Sequence, residues 1–80
     1  MDIAQIKEKV TEFLIEELEI EEDKIYPEAR LKEDMGIDSL EVVDIVVLVE
    51  QNFGFKMKPE DFKVVKTFEE FCNFIAERTA

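Results

Sequence analysis

The sequence predicts an all-α fold: a small four-helix bundle of three longer helices and one short one, with a long loop between helices one and two. Two observations carry that prediction. Apolar residues recur at helical spacing in three stretches, and each stretch is preceded by a residue able to cap a helix with a Glu or Gln three positions on. Between the first two stretches the period is lost, and Pro27 and Gly36 punctuate the gap.

In the first stretch Asp2 is the cap and Gln5 its capping-box partner. Ile3, Ile6, Val10, Phe13, Leu14 and Leu18 fall on one face, with Lys7, Glu8, Glu12, Glu16 and Glu19 on the other. The spacing predicts a helix over 2–18. The stretch from Ile20 to Asp38 is longer than the roughly 12–15 residues of an idle loop. Its apolar residues, Ile20, Ile25, Tyr26, Leu31, Met35 and Ile37, predict that it packs onto the domain.

Leu40–Phe53 is rich in Val and Ile, which favour strands. Its acids decide otherwise, because Glu41, Asp44 and Glu50 have mixed parity and neither strand face would be clean. On a helix, Val42, Val46, Val49 and Phe53 share a narrow arc, and Glu41, Asp44, Leu48 and Gln51 lie opposite. Asp38 caps this helix with Glu41 as partner, and Gly54 ends it, which predicts 39–53. Pro59 suits the first turn of a short helix reaching about Val65. Thr67 caps the last helix with Glu70 as partner, and Phe68, Phe71, Cys72 and Ile75 form its buried face.

Composition narrows the function. The 80 residues suit one domain, 1–80, with 46% apolar residues to fill a small core. Acids number 21 against 10 bases, for a net charge of −11. That argues against nucleic acid, which needs a basic footprint, and against anionic membrane surfaces, so neither partner is expected. Residues 1–50 hold all of the excess acid, which suggests a face for a basic partner or a solvated surface. Histidine is absent, which removes the commonest general base and the usual zinc sites. The single Cys72 has no partner for an internal disulfide and reads as a small buried hydrophobe. Ile45–Val49 is the longest apolar run, far short of the roughly 20 residues of a membrane span, so no membrane insertion is expected. Residues 1–5 have no basic flank or apolar run of a signal peptide, and the expected setting is cytoplasmic. Glu21, Glu22 and Asp23 lack the ligand spacing of a calcium loop and read as a solvated charge run, so no metal is expected.

The informative segment is Glu33-Asp34-Met35-Gly36-Ile37-Asp38-Ser39-Leu40-Glu41. Gly36 permits backbone angles that other residues avoid. Ser39 follows in the first turn of a helix, near the positive end of its macrodipole. A phosphodiester on that hydroxyl would be stabilised by the dipole and by free N–H groups. Nothing in the motif would activate Ser39 as a nucleophile, so a catalyst is not expected. A serine after Asp can also do no more than start a helix.

The whole chain resembles the acyl carrier protein family, whose members typically read acid–acid–Leu–Gly–small–Asp–Ser–Leu at this place. The resemblance implies a carrier and not an enzyme. It implies 4′-phosphopantetheine covalently attached to Ser39, donated by coenzyme A through a phosphopantetheinyl transferase, with Asp38 and Gly36 shaping the attachment site. Acyl groups would ride on the arm as thioesters to fatty-acid, lipid or polyketide-type biosynthetic enzymes. Acyl-transfer and condensing enzymes with basic docking patches would meet Asp38, Glu41, Asp44 and Glu50, with Leu40, Val43 and Val47 as apolar contacts. Leu31, Val46, Val49, Phe62 and Val65 are the acyl-pocket candidates, and a monomer is expected.

The residues themselves agree with a docking face, because this helix has more apolar residues than one core contact needs. Val43 stays open between docking and core. Departures from the family pattern are Met35, Ile37, the bases Lys56, Lys58, Lys63 and Lys66, and Phe62 where a small pocket residue is common. Phe62 could shorten the pocket or simply pack the core, and the second reading is favoured. Together these point to a specialised rather than housekeeping carrier, for short or unusual acids. The rival readings are an aminoacyl- or peptidyl-type carrier and an unmodified helical interaction module.

Overall fold

A computed structural model describes residues 2–79. The chain is helical, and three α-helices account for the periodic stretches. Helix α1 spans Ile3–Leu18, α2 Ser39–Phe53 and α3 Phe68–Thr79. Each begins at the predicted cap. Asp2 accepts the N–H of Gln5 at 2.9 Å, and Gln5 accepts the N–H of Asp2 at 3.2 Å. Thr67 Oγ1 accepts the N–H of Glu70 at 3.2 Å, and Glu70 Oε1 accepts the N–H of Thr67 at 3.0 Å. Gly54 ends α2 with φ +77°, in the left-handed region that only glycine enters without strain.

The predicted fourth helix is shorter than expected. Pro59–Lys63 forms a 3-10 helix, so the described residues hold three α-helices and not four. Its start is fixed by Asp61, whose carboxylate accepts the N–H of Lys58 at 2.9 Å. The N–H of Val64 then bonds to the carbonyl of Asp61, the tighter spacing that limits such helices to short pieces. A second 3-10 turn, Glu22–Lys24, lies inside the long loop.

The core is one apolar cluster. Ile6, Val10, Phe13 and Leu14 of α1 meet Phe68, Phe71, Cys72 and Ile75 of α3, all buried. The long loop closes the open side, supplying Ile20, Ala29, Leu31, Met35 and Ile37. It is pinned to the start of α3: Leu31 donates to the carbonyl of Lys66 at 2.8 Å, and Phe68 donates to that of Ala29 at 2.9 Å. Those bonds satisfy backbone groups that a buried loop would otherwise leave unpaired.

Four apolar placements differ from expectation. Ile3, in the first turn of α1, and Tyr26, in the loop, are exposed. Ile45 is fully buried although it lies outside the predicted arc of α2, and Leu48, placed on the outer side, is half-buried against the core. Both follow from α2 meeting α1 and the Pro59–Lys63 turn together, which widens its buried arc beyond that of a helix with one neighbour.

Candidate functional site

Asp38 sits just outside α2 in an extended conformation, φ −97° and ψ −178°. One of its carboxylate oxygens accepts the N–H of Leu40 at 3.0 Å and that of Glu41 at 2.9 Å. The Glu41 carboxylate returns to the N–H of Asp38 at 3.4 Å. The capping box thus uses three amides of the first turn. The expected set of free N–H groups at the start of α2 therefore shrinks to one, the Ser39 amide, which has no partner among the described residues. Ser39 is the first residue of α2 and is exposed, and its hydroxyl makes no hydrogen bond among the described residues. An exposed hydroxyl beside a free amide at a helix N-terminus fits a covalently attached phosphate.

Three residues upstream, Gly36 has φ +74°, and a Cβ built there would meet nothing within 4 Å. Backbone angle alone requires glycine at this turn. The buried Ile37 then anchors the approach to α2, its N–H donating to the carbonyl of Leu31 at 3.1 Å.

The outer face of α2 carries the expected apolar stripe. Leu40 is 78% exposed, Val43 53% and Val47 47%, which places Val43 outside the core. Steps of three and four put them on one side of the helix, opposite the buried Val42, Ile45 and Val49. Asp44 and Glu50 are exposed, and Glu41 is half-buried. These residues are brought together by one helix. Val64, next to the 3-10 turn, adds a further apolar side chain at 70% exposure that the sequence reading did not single out.

A cleft of about 360 Å³ opens where the long loop meets the segment before α3. The buried Leu31, Phe62 and Val65 line it, three of the five pocket candidates. Val49, fully buried in the core, and the half-buried Val46 do not line it. The Phe62 ring packs against Phe71, centroids 5.8 Å apart, so it belongs to the core and the cleft wall at once. Arg30, Lys32, Lys63 and Lys66 also line the cleft. Arg30 and Lys32 were not foreseen, because they lie more than thirty positions before Lys63 and Lys66 in sequence.

Two carboxylates near this region are held in the charged form. The backbone N–H of Arg30, and then its guanidinium, depress the pKa of Asp34. Arg30 also pairs with Glu33. The N–H groups of Thr67 and Lys66 depress that of Glu70. Cys72 moves the other way, since burial pushes its thiol up to about 12 and leaves it an inert core residue. No cluster of three or more metal-ligating side chains occurs among the described residues, and none of the helices is long and apolar enough to cross a membrane.

A family model described as the phosphopantetheine attachment site matches residues 8–75. An acyl carrier protein of Chlorobium phaeobacteroides is 31% identical over 78 residues, covering 98% of this chain and 100% of the relative. One of Syntrophobacter fumaroxidans is 30% identical over 80 residues, covering 100% of this chain and 99% of the relative.

Proposed function

This chain belongs to the acyl carrier protein family, and from that premise we propose that Ser39 is the residue that bears its prosthetic arm. As a member, the chain is a carrier and not an enzyme, and its cofactor is 4′-phosphopantetheine. That group supplies a terminal thiol on which acyl groups are held as thioesters. The observation that carries the Ser39 reading is its exposed, unengaged hydroxyl beside the one free amide of the α2 first turn. Asp38 and Glu41 hold that turn rigid, and Gly36 lets the loop bend into it.

The acid-flanked stripe of Leu40, Val43 and Val47 is the docking face in this reading. Asp38, Glu41, Asp44 and Glu50 steer basic patches of a phosphopantetheinyl transferase and of acyl-transfer and condensing enzymes. The cleft lined by Leu31, Phe62 and Val65 shelters the cargo. The pathway class is fatty-acid, lipid or polyketide-type biosynthesis, with a specialised carrier rather than a housekeeping one. The setting is cytoplasmic, and the carrier acts as a monomer.

Incubation with coenzyme A and a broad-range phosphopantetheinyl transferase, followed by intact mass, tests the attachment. One phosphopantetheinyl group is gained by the chain and none by Ser39→Ala. A chain that gains nothing beside a control carrier that does, or a Ser39→Ala chain that is still modified, overturns the reading.

A further inference from the structure

The cationic rim of the cleft is out of keeping with the rest of the chain. The protein has a net charge of −11 and 10 basic residues, yet four of those bases line a single cleft. One acid, Glu33, lines it too, and it is paired with Arg30. Lys32, Lys63 and Lys66 make no ion pair among the described residues, although 21 acids are present in the sequence. Like charges gathered at one opening repel one another, so the arrangement carries a cost that an anion in the cleft would remove. Beneath the rim, Leu31, Phe62 and Val65 give an apolar wall. The two surfaces together match a ligand with an apolar body and an anionic end.

The cleft lies within reach of the attachment point. Its wall residue Leu31 accepts the N–H of Ile37 at 3.1 Å, and Ile37 is two residues from Ser39. Two residues of extended chain span at most roughly 7 Å. An extended phosphopantetheine arm spans roughly 16 Å at ordinary bond lengths, which leaves its thiol free to present cargo at the cleft mouth. We propose that the cleft receives an ω-carboxyacyl group, a dicarboxylic half-thioester. Its methylenes lie on Leu31, Phe62 and Val65, and its free carboxylate is met by Lys32, Lys63 and Lys66. This rests on the attachment at Ser39 proposed above. It adds the chemical class of the cargo.

The test grafts two cargoes of equal chain length, adipyl and hexanoyl, from their coenzyme A thioesters with a broad-range transferase. Intact mass confirms each graft before anything else is read. At low salt the adipyl thioester resists hydroxylamine by roughly threefold more than the hexanoyl one, the scale of one partly screened ion pair. The Lys63→Gln/Lys66→Gln double variant loses that difference, as does high salt. Both lysines are exposed, so the variant folds, which its far-ultraviolet circular dichroism checks. Amide shifts of Leu31 and Val65 on adipyl loading place the cargo in the cleft. Equal protection of the two thioesters, or a difference that survives in the variant, overturns the ω-carboxyacyl assignment alone. A chain that accepts neither graft takes the Ser39 reading down and this one with it.

Discussion

Asp38 and Glu41 cap one another across Ser39. The Asp38 carboxylate accepts the N–H of Glu41 at 2.9 Å, and the Glu41 carboxylate accepts that of Asp38 at 3.4 Å. Asp38 therefore has two separable properties, a cap and a charge. Asp38→Ala removes both and lowers stability by about 1 kcal/mol, the usual worth of an N-cap. Asp38→Asn keeps an acceptor for the Leu40 and Glu41 amides and stays near wild type. Urea denaturation measures the two. If the Asn variant also lowers association with the transferase, the charge acts in docking. Equal stability of Ala and wild type would remove the cap from the argument.

Docking through an acid-flanked face carries its own salt signature. Raising ionic strength from about 0.01 M to about 1 M shortens the screening length from roughly 30 Å to roughly 3 Å. The transferase kcat/KM toward the apo chain falls over that range, and Asp44→Asn or Glu50→Gln flattens the fall. Leu40→Ala lowers kcat/KM at every salt concentration, because its contact is apolar. Leu40 is 78% exposed, so its truncation leaves stability within about 0.5 kcal/mol of wild type. A kcat/KM that does not change with salt would sink the steering role.

Most of this architecture was legible because capping is a local rule. The Asp2, Asp38 and Thr67 boxes form between residues three apart, and sequence spacing is enough to place them. The outward stripe of α2 was legible for the same reason: it is a periodicity. What escaped depends on neighbours distant in sequence. Ile45 is buried because α2 has two partners. The cationic cleft forms because the loop at Leu31 is hydrogen-bonded to Lys66 at 2.8 Å, a pairing that no local pattern announces. The 3-10 form of Pro59–Lys63 turns on N–H groups reaching the carbonyl three rather than four residues back, a difference below the reach of propensity.

Glu70 ties acid stability to the start of α3. Its carboxylate accepts the N–H of Thr67 at 3.0 Å and that of Lys66 at 3.1 Å, and its pKa is depressed. A depressed folded-state pKa contributes stability above the ordinary carboxylate range, and that contribution is lost as pH falls through the folded value. Glu70→Gln is therefore less stable than wild type near roughly pH 7, and the gap narrows toward roughly pH 3. Protonating the many other acids relieves self-repulsion in both proteins, so the difference between them is the quantity to read. Paired urea titrations supply it. A gap that widens on acidification would contradict the depressed pKa.

Phe62 is asked to serve the core and the cleft together. It is 5% exposed, its ring is tilted at 46° to Phe71, and it lines the opening beside Val65. Phe62→Ala removes buried ring area and leaves a cavity, for a loss of roughly 3–5 kcal/mol. The whole fold is worth only roughly 4–12 kcal/mol at this length, so Phe62→Ala loses a large share of it and reaches the unfolding limit at the lower end of that range. Phe62→Leu keeps most of the packing and still shortens the wall. In the holo chain that variant protects a decanoyl thioester from hydroxylamine better than wild type does, while a hexanoyl thioester is unaffected. If decanoyl protection does not move, the ring belongs to the core alone and does not limit the length of the cargo.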